Sequence, residues 1–372
     1  MQKKRVVIAS DALSPWHVGG KEERYAQLAK HFQSDDIEII FATMKWWQGE
    51  DPAGYVSICP KYAMYNSDGS RSIYQSVRFA IACLKIYKLK PDLIEGDQIP
   101  FLQIFTLWIV AKMRRVPLTV TWHEVWGMNY WQEYAPKISR FAAICERLTM
   151  RLPDRVIANS DFTASRLRSF GVAGNRLVII ENNLDFNFIN EASTKLTGYE
   201  ILYAGRLIAH KKVEILIEAM QILTRTHPNI RMGIIGAGPE SNKLQQIALE
   251  AKLEGKVIFL GEIPNHQDVI GIMKKSNIFV SASEREGYGQ SVLEALHLGL
   301  HVIVADNPNN AAATFVRNHS NGIVLKENKP SLYAQSIEDL LTKQKLTATS
   351  NIEIYSETIS SRYLHEWQDM LL

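Results

Sequence analysis

At 372 residues the chain is long for one hydrophobic core, and two domains of about 150–200 residues each are expected. Its 46% hydrophobic and 22% charged residues exclude a disordered or fibrous protein. Cys59, Cys83 and Cys145 are too few and too scattered for a disulfide framework, and none sits at metal-ligand spacing, so a reducing cytoplasm is the expected compartment. The net charge of +3 divides unevenly: residues 1–184 carry 24 Lys and Arg against 18 Asp and Glu, the remainder 18 against 21. Solvated surface charge accounts for this. Attraction of the basic half to an anionic lipid or a phosphorylated acceptor is the alternative, with peripheral contact at the inner membrane face. Dispersed cations without a recognition motif argue against nucleic acid.

Lys3, Lys4 and Arg5 lead into only four apolar residues, too few for a signal-peptide core, and residues 5–9 read as a first strand. Ser14-Pro15-Trp16-His17-Val18-Gly19-Gly20 follows it and precedes a helix at 22–32. Gly19 and Gly20 put bare amides at this strand-to-helix turn, although tight turns also use glycine for its conformation alone. Further strands are expected at 37–42, 92–95, 118–122, 155–159 and 177–180. Helices are expected at 72–88 and 138–151, the second ended by Leu152-Pro153-Asp154. The apolar run 101–111 falls short of the ~20 residues a membrane span needs. It reads as an interior helix apolar on all faces, with a membrane-facing patch as the alternative. The strand at 118–122 ends in His123-Glu124, where the histidine is either a structural hydrogen-bonder or an active-site group. Trp126, Tyr130, Trp131 and Tyr134 then make either an acceptor-binding loop or ordinary packing.

After a polar, aperiodic linker at 185–198, strands recur at 200–204, 230–235, 257–260, 278–281 and 301–305. Helices at 214–227, 241–253, 268–276 and 290–298 alternate with them, and Ile359, Tyr363, Trp367 and Met370 mark a closing helix at 355–372. This alternation predicts an α/β protein of two doubly wound, Rossmann-like parallel-sheet domains. Gly205, Arg206 and Lys211 follow the strand at 200–204. Read from the residues alone, two cations at this turn make either a basic surface turn or a site for an anionic group. In Glu286-Gly287-Tyr288-Gly289-Gln290 the glycines let backbone approach a ligand, at the carboxyl end of the strand at 278–281. Glu294 lies about one helical turn further on, and two carboxylates so placed can accept from hydroxyls at opposite ends of one ligand. Gly236-x-Gly238 hints at a dinucleotide site, but Ser241 replaces the third glycine.

The segment Glu286-Gly287-Tyr288-Gly289 with Glu294-Ala295 resembles the paired-glutamate motif of family 4 glycosyltransferases, retaining enzymes of GT-B architecture. The resemblance implies that Glu286 contacts the donor sugar, that Gly287, Tyr288, Gly289 and Gln290 offer amides to sugar and phosphate, and that Glu294 binds the ribose. It puts Arg206 and Lys211 on the donor diphosphate, Gly19 and Gly20 near the phosphates and acceptor, and His123 near the reacting carbon. Glu124 and Trp126 become acceptor candidates. Supporting segments are Asn159-Ser160-Asp161, Glu181-Asn182-Asn183, Leu260-Gly261-Glu262 and Asn321-Gly322. Two positions depart from the family pattern: Lys212 stands where glycine is usual, and asparagines with Thr314 replace a glycine-rich turn and a glutamate.

The organisation implied is an acceptor domain at 1–190, a donor domain at 191–350 and a helix at 351–372 returning to the first. The reaction implied is retaining transfer from a nucleoside-diphosphate sugar to a hydroxyl of a glycan, lipid-linked or small-molecule acceptor, without metal or other cofactor. A sugar-nucleotide epimerase or sugar phosphorylase, an inactive nucleotide-sugar-binding protein and an NAD-dependent oxidoreductase are the alternatives.

Overall fold

The computed structural model describes residues 3–371 apart from 18, 33, 67–69, 183 and 343–358, so Val18, Asn183 and the start of the expected closing helix lie outside the described residues. The chain separates into two compact units, residues 1–183 with 355–372, and residues 184–354.

The first unit holds strands β1 (Lys4–Ala9), β2 (Ile37–Met44), β3 (Tyr55–Cys59), β4 (Leu93–Asp97), β5 (Leu118–Trp122), β6 (Arg155–Ala158) and β7 (Leu177–Ile179). They form one parallel sheet in the order β3-β2-β1-β4-β5-β6-β7. Val6, Val7, Ile8 and Ala9 are fully buried, as expected of a parallel strand covered on both faces. Its helices are α1 (Gly20–His31), α2 (Ile73–Ala82), α3 (Leu102–Arg114), α4 (Gly127–Tyr134), α5 (Ser139–Thr149) and α6 (Asp161–Ser169). The order reverses between β1 and β4, which makes their carboxyl ends the switch point where open α/β sheets bind ligands.

Two expectations for this unit need correction. The helix expected at 72–88 is α2 followed by a tighter 3₁₀ stretch, Cys83–Leu89. It ends at Lys90, a left-handed cap (φ 53°) whose amide donates to the Tyr87 carbonyl, and Pro91, which cannot continue a helix, follows. The run at 101–111 forms α3, but not as an interior helix: Ile104, Leu107 and Val110 are buried while Ile109 and Met113 are 44% and 62% exposed.

The second unit holds β8 (Ile201–Ala204), β9 (Met232–Ile235), β10 (Val257–Gly261), β11 (Ile278–Ser281), β12 (Arg285–Glu286), β13 (His301–Ala305), β14 (Asn309–Asn310) and β15 (Gly322–Leu325). Six form a parallel sheet in the order β10-β9-β8-β11-β13-β15, while β12 and β14 pair separately. Around them lie α7 (Phe186–Glu191), α8 (Val213–Leu223), α9 (Ser241–Glu250), α10 (His266–Lys274), α11 (Gln290–His297), α12 (Ala312–Arg317) and α13 (Pro330–Thr342). The supposed linker therefore contains α7, capped where the Asp185 carboxylate accepts from the Phe188 amide at 2.9 Å. Here the switch point lies between β8 and β11.

The last helix, α14 (Ile359–Leu371), packs in the first unit, burying Tyr363 and Trp367 completely against Ile8, Tyr25 and Leu28. Trp367 Nε1 donates to Glu95 Oε2 at 3.0 Å, and the Tyr363 hydroxyl lies 3.0 Å from Thr121 Oγ1 and accepts from Arg24 Nε. Glu95 is fully buried on β4, and burial lifts its carboxyl to about 7, against the pull of Thr121, Arg24, Tyr363 and Trp367. A raised folded-state pKa means that the native chain holds this proton more tightly than the unfolded one. The stability it contributes is complete below about pH 4.5 and is lost as the pH rises through about 7. Glu95→Gln is expected to remove about 3 kcal/mol of that pH dependence. Melting followed from pH 5 to 8 checks this: equal slopes for variant and wild type would refute it. No described helix is long and apolar enough to cross a membrane.

Candidate active site

The strongest constellation forms at the switch point of the second unit. Gly205 and Arg206 leave the carboxyl end of β8, and the loop is pinned from below by the buried Tyr203 hydroxyl, which donates to the Arg206 carbonyl at 3.1 Å. Gly236 (φ +130°) leaves β9 alongside, and a Cβ there would come within 1.9 Å of the Gly205 carbonyl oxygen, so only glycine allows this approach. A short 3₁₀ turn, Ala209–Lys211, then brings the Lys211 ammonium onto Glu286 Oε1 of β12, with both side chains mostly shielded.

Lys212 adopts φ 49°, ψ 41° as the residue before α8. That left-handed conformation costs a side chain roughly 1–2 kcal/mol, which explains why glycine suits the position. Here the lysine keeps the conformation and sets its ammonium 3.7 Å from Glu284 Oε2. His210 reports the resulting field. Burial first, and then Lys211, Arg285, Arg206 and Lys212, push its imidazole down to about 3, so it stays neutral amid four cations.

From β11 the chain turns through Glu286, Gly287 and Tyr288 into α11. Gly289 precedes that helix at φ +87°, where a Cβ would lie 2.6 Å from Ala312 Cβ. The Tyr288 ring is buried against Phe315, so this residue can offer a ligand its backbone and not its side chain. Glu294, one turn into α11, is buried, with Oε1 3.0 Å from His266 Nε2 and 3.1 Å from Gln290 Nε2, which donates to it. The asparagine-bearing segment is braced to the same loop. Asn310 Nδ2 donates to the Ser283 carbonyl at 2.9 Å, and the Ala311 amide donates to the Glu286 carbonyl at 2.9 Å. Sequence reading missed His266, which lies in no recognisable motif, and noted the asparagines around 310 only as departures from a motif, because both residues act through tertiary contacts.

A second constellation lies at the switch point of the first unit. Gly19 and Gly20 start α1, whose first turn carries Glu22 and Glu23. Lys21 places its ammonium 3.0 Å from both Asp11 Oδ1 and Asp97 Oδ2. Asp11 also accepts from Arg71 Nη2 and from Gln75 Nε2, and Asp97 accepts from Ser10 Oγ at 2.7 Å. Burial alone would lower the Lys21 pKa; Asp97 and Glu22 outweigh it and raise it. Asp11 and Asp97 went unnoticed in the sequence, although each stands at or just past the end of a strand flanking the reversal point.

His123 and Glu124 lie just past β5, with both backbone amides donating to Gln98 Oε1 at 2.6 and 3.0 Å. Burial, chiefly, brings the His123 imidazole down to about 3, so it is neutral, and its buried Nε2 has no hydrogen-bond partner among the described residues. The aromatic stretch after it is not an open loop but helix α4. Trp126 packs edge-on to Phe101 and Tyr130, and its indole donates to Glu124 Oε2 at 3.2 Å. The buried Glu146 carboxylate accepts from the amides of Trp126 and Gly127 and from Trp131 Nε1, fixing the start of that helix. A cavity of about 550 Å³ opens among Trp16, His17, Trp46, Lys61, Tyr62 and Tyr65 of the same unit.

Comparison with known proteins gives the family. A family model described as Glycosyltransferase Family 4 matches residues 18–188, and one described as Glycosyl transferases group 1 matches residues 185–354. The chain is 29% identical over 335 residues to a GDP-mannose:cellobiosyl-diphosphopolyprenol alpha-mannosyltransferase of Xanthomonas campestris, covering 87% of this chain and 84% of that protein. It is 27% identical over 176 residues to the GtfA subunit of a UDP-N-acetylglucosamine--peptide N-acetylglucosaminyltransferase of Streptococcus agalactiae, covering 45% of this chain and 33% of that subunit. The chain thus spans half or less of the length of several curated relatives it matches. In fold it resembles HepE of Anabaena, solved in complex with UDP and glucose, with a TM-score of 0.74 at 18% identity over 98% of this chain and 100% of that one. The two family models meet at residues 185–188 and together run from 18 to 354 over two Rossmann-like sheets, and the chain belongs to the family 4 glycosyltransferases of the GT-B fold.

Proposed function

We propose that this chain moves a sugar from a nucleoside-diphosphate donor to an acceptor hydroxyl with retention at the anomeric carbon. The observation that carries the reading is the convergence of Arg206, Lys211, Lys212 and Arg285 around a neutral His210 beside Glu286. As the glycosidic bond breaks, negative charge grows on the terminal phosphate, and fixed cations in a partly shielded site stabilise it without reorganising. Arg206 grips phosphate as a planar fork and Lys211 as a point charge; Glu286 holds Lys211 in place before the donor arrives. Glu286 then accepts from donor sugar hydroxyls, and Glu294, aligned by His266 and Gln290, accepts from the ribose. In the first unit, neutral His123 keeps a buried Nε2 without a partner among the described residues, and it is proposed to meet the donor sugar, with Glu124 and Trp126 proposed for the acceptor.

Glu286 is already committed to an ion pair, so a departing phosphate that takes the acceptor proton suits these residues better than a carboxylate nucleophile. The four cations do the work of a metal ion, and no metal or other cofactor is required. The Xanthomonas relative's name specifies a diphosphopolyprenol-linked acceptor, and a lipid-linked acceptor is the class proposed here.

The test is a thermal-shift panel of UDP-, GDP-, ADP- and TDP-sugars, followed by product analysis with and without chelator. One nucleotide sugar is expected to raise the melting point by mass action, and turnover is expected to survive the chelator. Stabilisation by no member of the panel refutes the donor assignment. Turnover abolished by chelator and restored by a divalent ion refutes the cationic mechanism.

A further inference from the structure

The helices that cover one face of the first unit's sheet expose an unusual surface. Along α2 and its 3₁₀ extension, Ile73, Val77, Ile81 and Leu84 recur at helical spacing and are all exposed. The exposed charges among and just after them are Arg78, Lys85, Lys88 and Lys90, and residues 71–91 contain no Asp or Glu at all. On α3, Ile109 and Met113 are exposed beside Lys112, which pairs with Asp154 Oδ1 at 3.5 Å at the edge of the face, and the exposed Arg115 follows them. On α5, Phe141 is 65% exposed, with Ile144 and Leu148 on the same side and Arg140 and Arg147 flanking them. The single carboxylate within these three helices is Glu146, and it is buried beneath α4. The surface is continuous, because α3 packs between α2 and α5 and the Arg114 guanidinium lies 5.1 Å over the Tyr87 ring.

Large apolar side chains left in water at this density mark an interaction surface. The charges around them decide the partner. A second copy of the same face would set cation against cation, which two-fold pairing does not relieve. An anionic bilayer satisfies both components. The Phe, Ile, Leu and Met side chains enter the boundary between headgroups and acyl chains, while the long Lys and Arg side chains reach back to the phosphates.

We infer that the α2–α3–α5 face is a docking surface for a membrane bearing anionic lipids. The inference rests on this surface alone and deepens the proposed function by giving a lipid-linked acceptor a place to be met.

Vesicle co-sedimentation of the full chain tests it. The protein is expected to bind phosphatidylcholine vesicles containing about one third phosphatidylglycerol far better than pure phosphatidylcholine, and to lose that binding as salt rises. Arg140→Ser with Arg147→Ser should weaken binding by about five-fold for each charge removed. Phe141→Ser with Ile144→Ser should weaken it by about ten-fold for each side chain. Melting temperatures and stabilisation by the nucleotide sugar, measured on the same proteins, should match wild type, since these side chains are exposed. Absence of binding to the anionic vesicles, unchanged binding by both variants, or a concentration-dependent dimer in place of vesicle binding overturns the inference. Failure of the wild-type chain to bind anionic vesicles with donor stabilisation intact condemns only this surface; wild-type vesicle binding without donor stabilisation condemns only the proposed reaction.

Discussion

Replacing Lys211 by alanine is expected to lower turnover by a factor of about 100 to 1,000, the loss typical when one preorganised group facing developing charge is removed. Lys211 is held by Glu286 and stands among Arg206, Lys212 and Arg285, so its ammonium needs little rearrangement to meet a phosphate. The alanine variant loses that charge and also leaves Glu286 without its cation. Repulsion between that carboxylate and the donor diphosphate then adds a binding defect to the catalytic one. Both kcat and the thermal stabilisation by nucleotide sugar should therefore fall. Lys211→Arg should restore part of each, since the charge returns with different geometry. Wild-type turnover in Lys211→Ala would remove the diphosphate role from this loop.

Trp367→Ala should give the largest loss of stability. The indole is completely buried in the first unit against the Phe32 and Tyr363 rings, and truncating a core tryptophan costs about 3–5 kcal/mol. The substitution also strips Glu95 Oε2 of its nearer donor and leaves it only Thr119 Oγ1 at 3.3 Å, in a site where a poorly satisfied polar group is expensive. Trp367→Phe keeps most of the volume and loses the hydrogen bond, so a smaller cost of about 1–2 kcal/mol is expected. Chemical denaturation monitored by tryptophan fluorescence reads both. A Trp367→Ala protein as stable as wild type would mean that α14 does not hold the first unit together.

Much of this protein was already written in its sequence. Strand-length apolar runs alternating with helical periods specify parallel α/β units, because a strand buried on both faces must be apolar throughout while its covering helices need only one apolar side. The Gly289 turn was legible for a similarly local reason: a left-handed position disfavours side chains, and here a Cβ would also meet Ala312, so glycine is the residue expected. Arg206, Lys211, Glu286 and Glu294 were found because they fall at fixed spacing within two contiguous segments that resemble family motifs, each following a strand of the second unit.

Other features required the folded chain. Asp97 is far in sequence from Asp11 and Lys21 and meets them only because β4 lies beside β1, an adjacency that no local pattern encodes. His266 reaches Glu294 across 28 positions, and Glu95 reaches Trp367 across 272. The 101–111 run shows the limit from the other side. Its composition suited an interior helix, yet Ile109 and Met113 face outward, because a helix lying on a sheet buries one stripe whatever its remaining residues prefer. Local conformation and the presence of chemistry follow from residue type and spacing; which distant groups become neighbours, and which apolar ones are left facing water, follows from strand order alone.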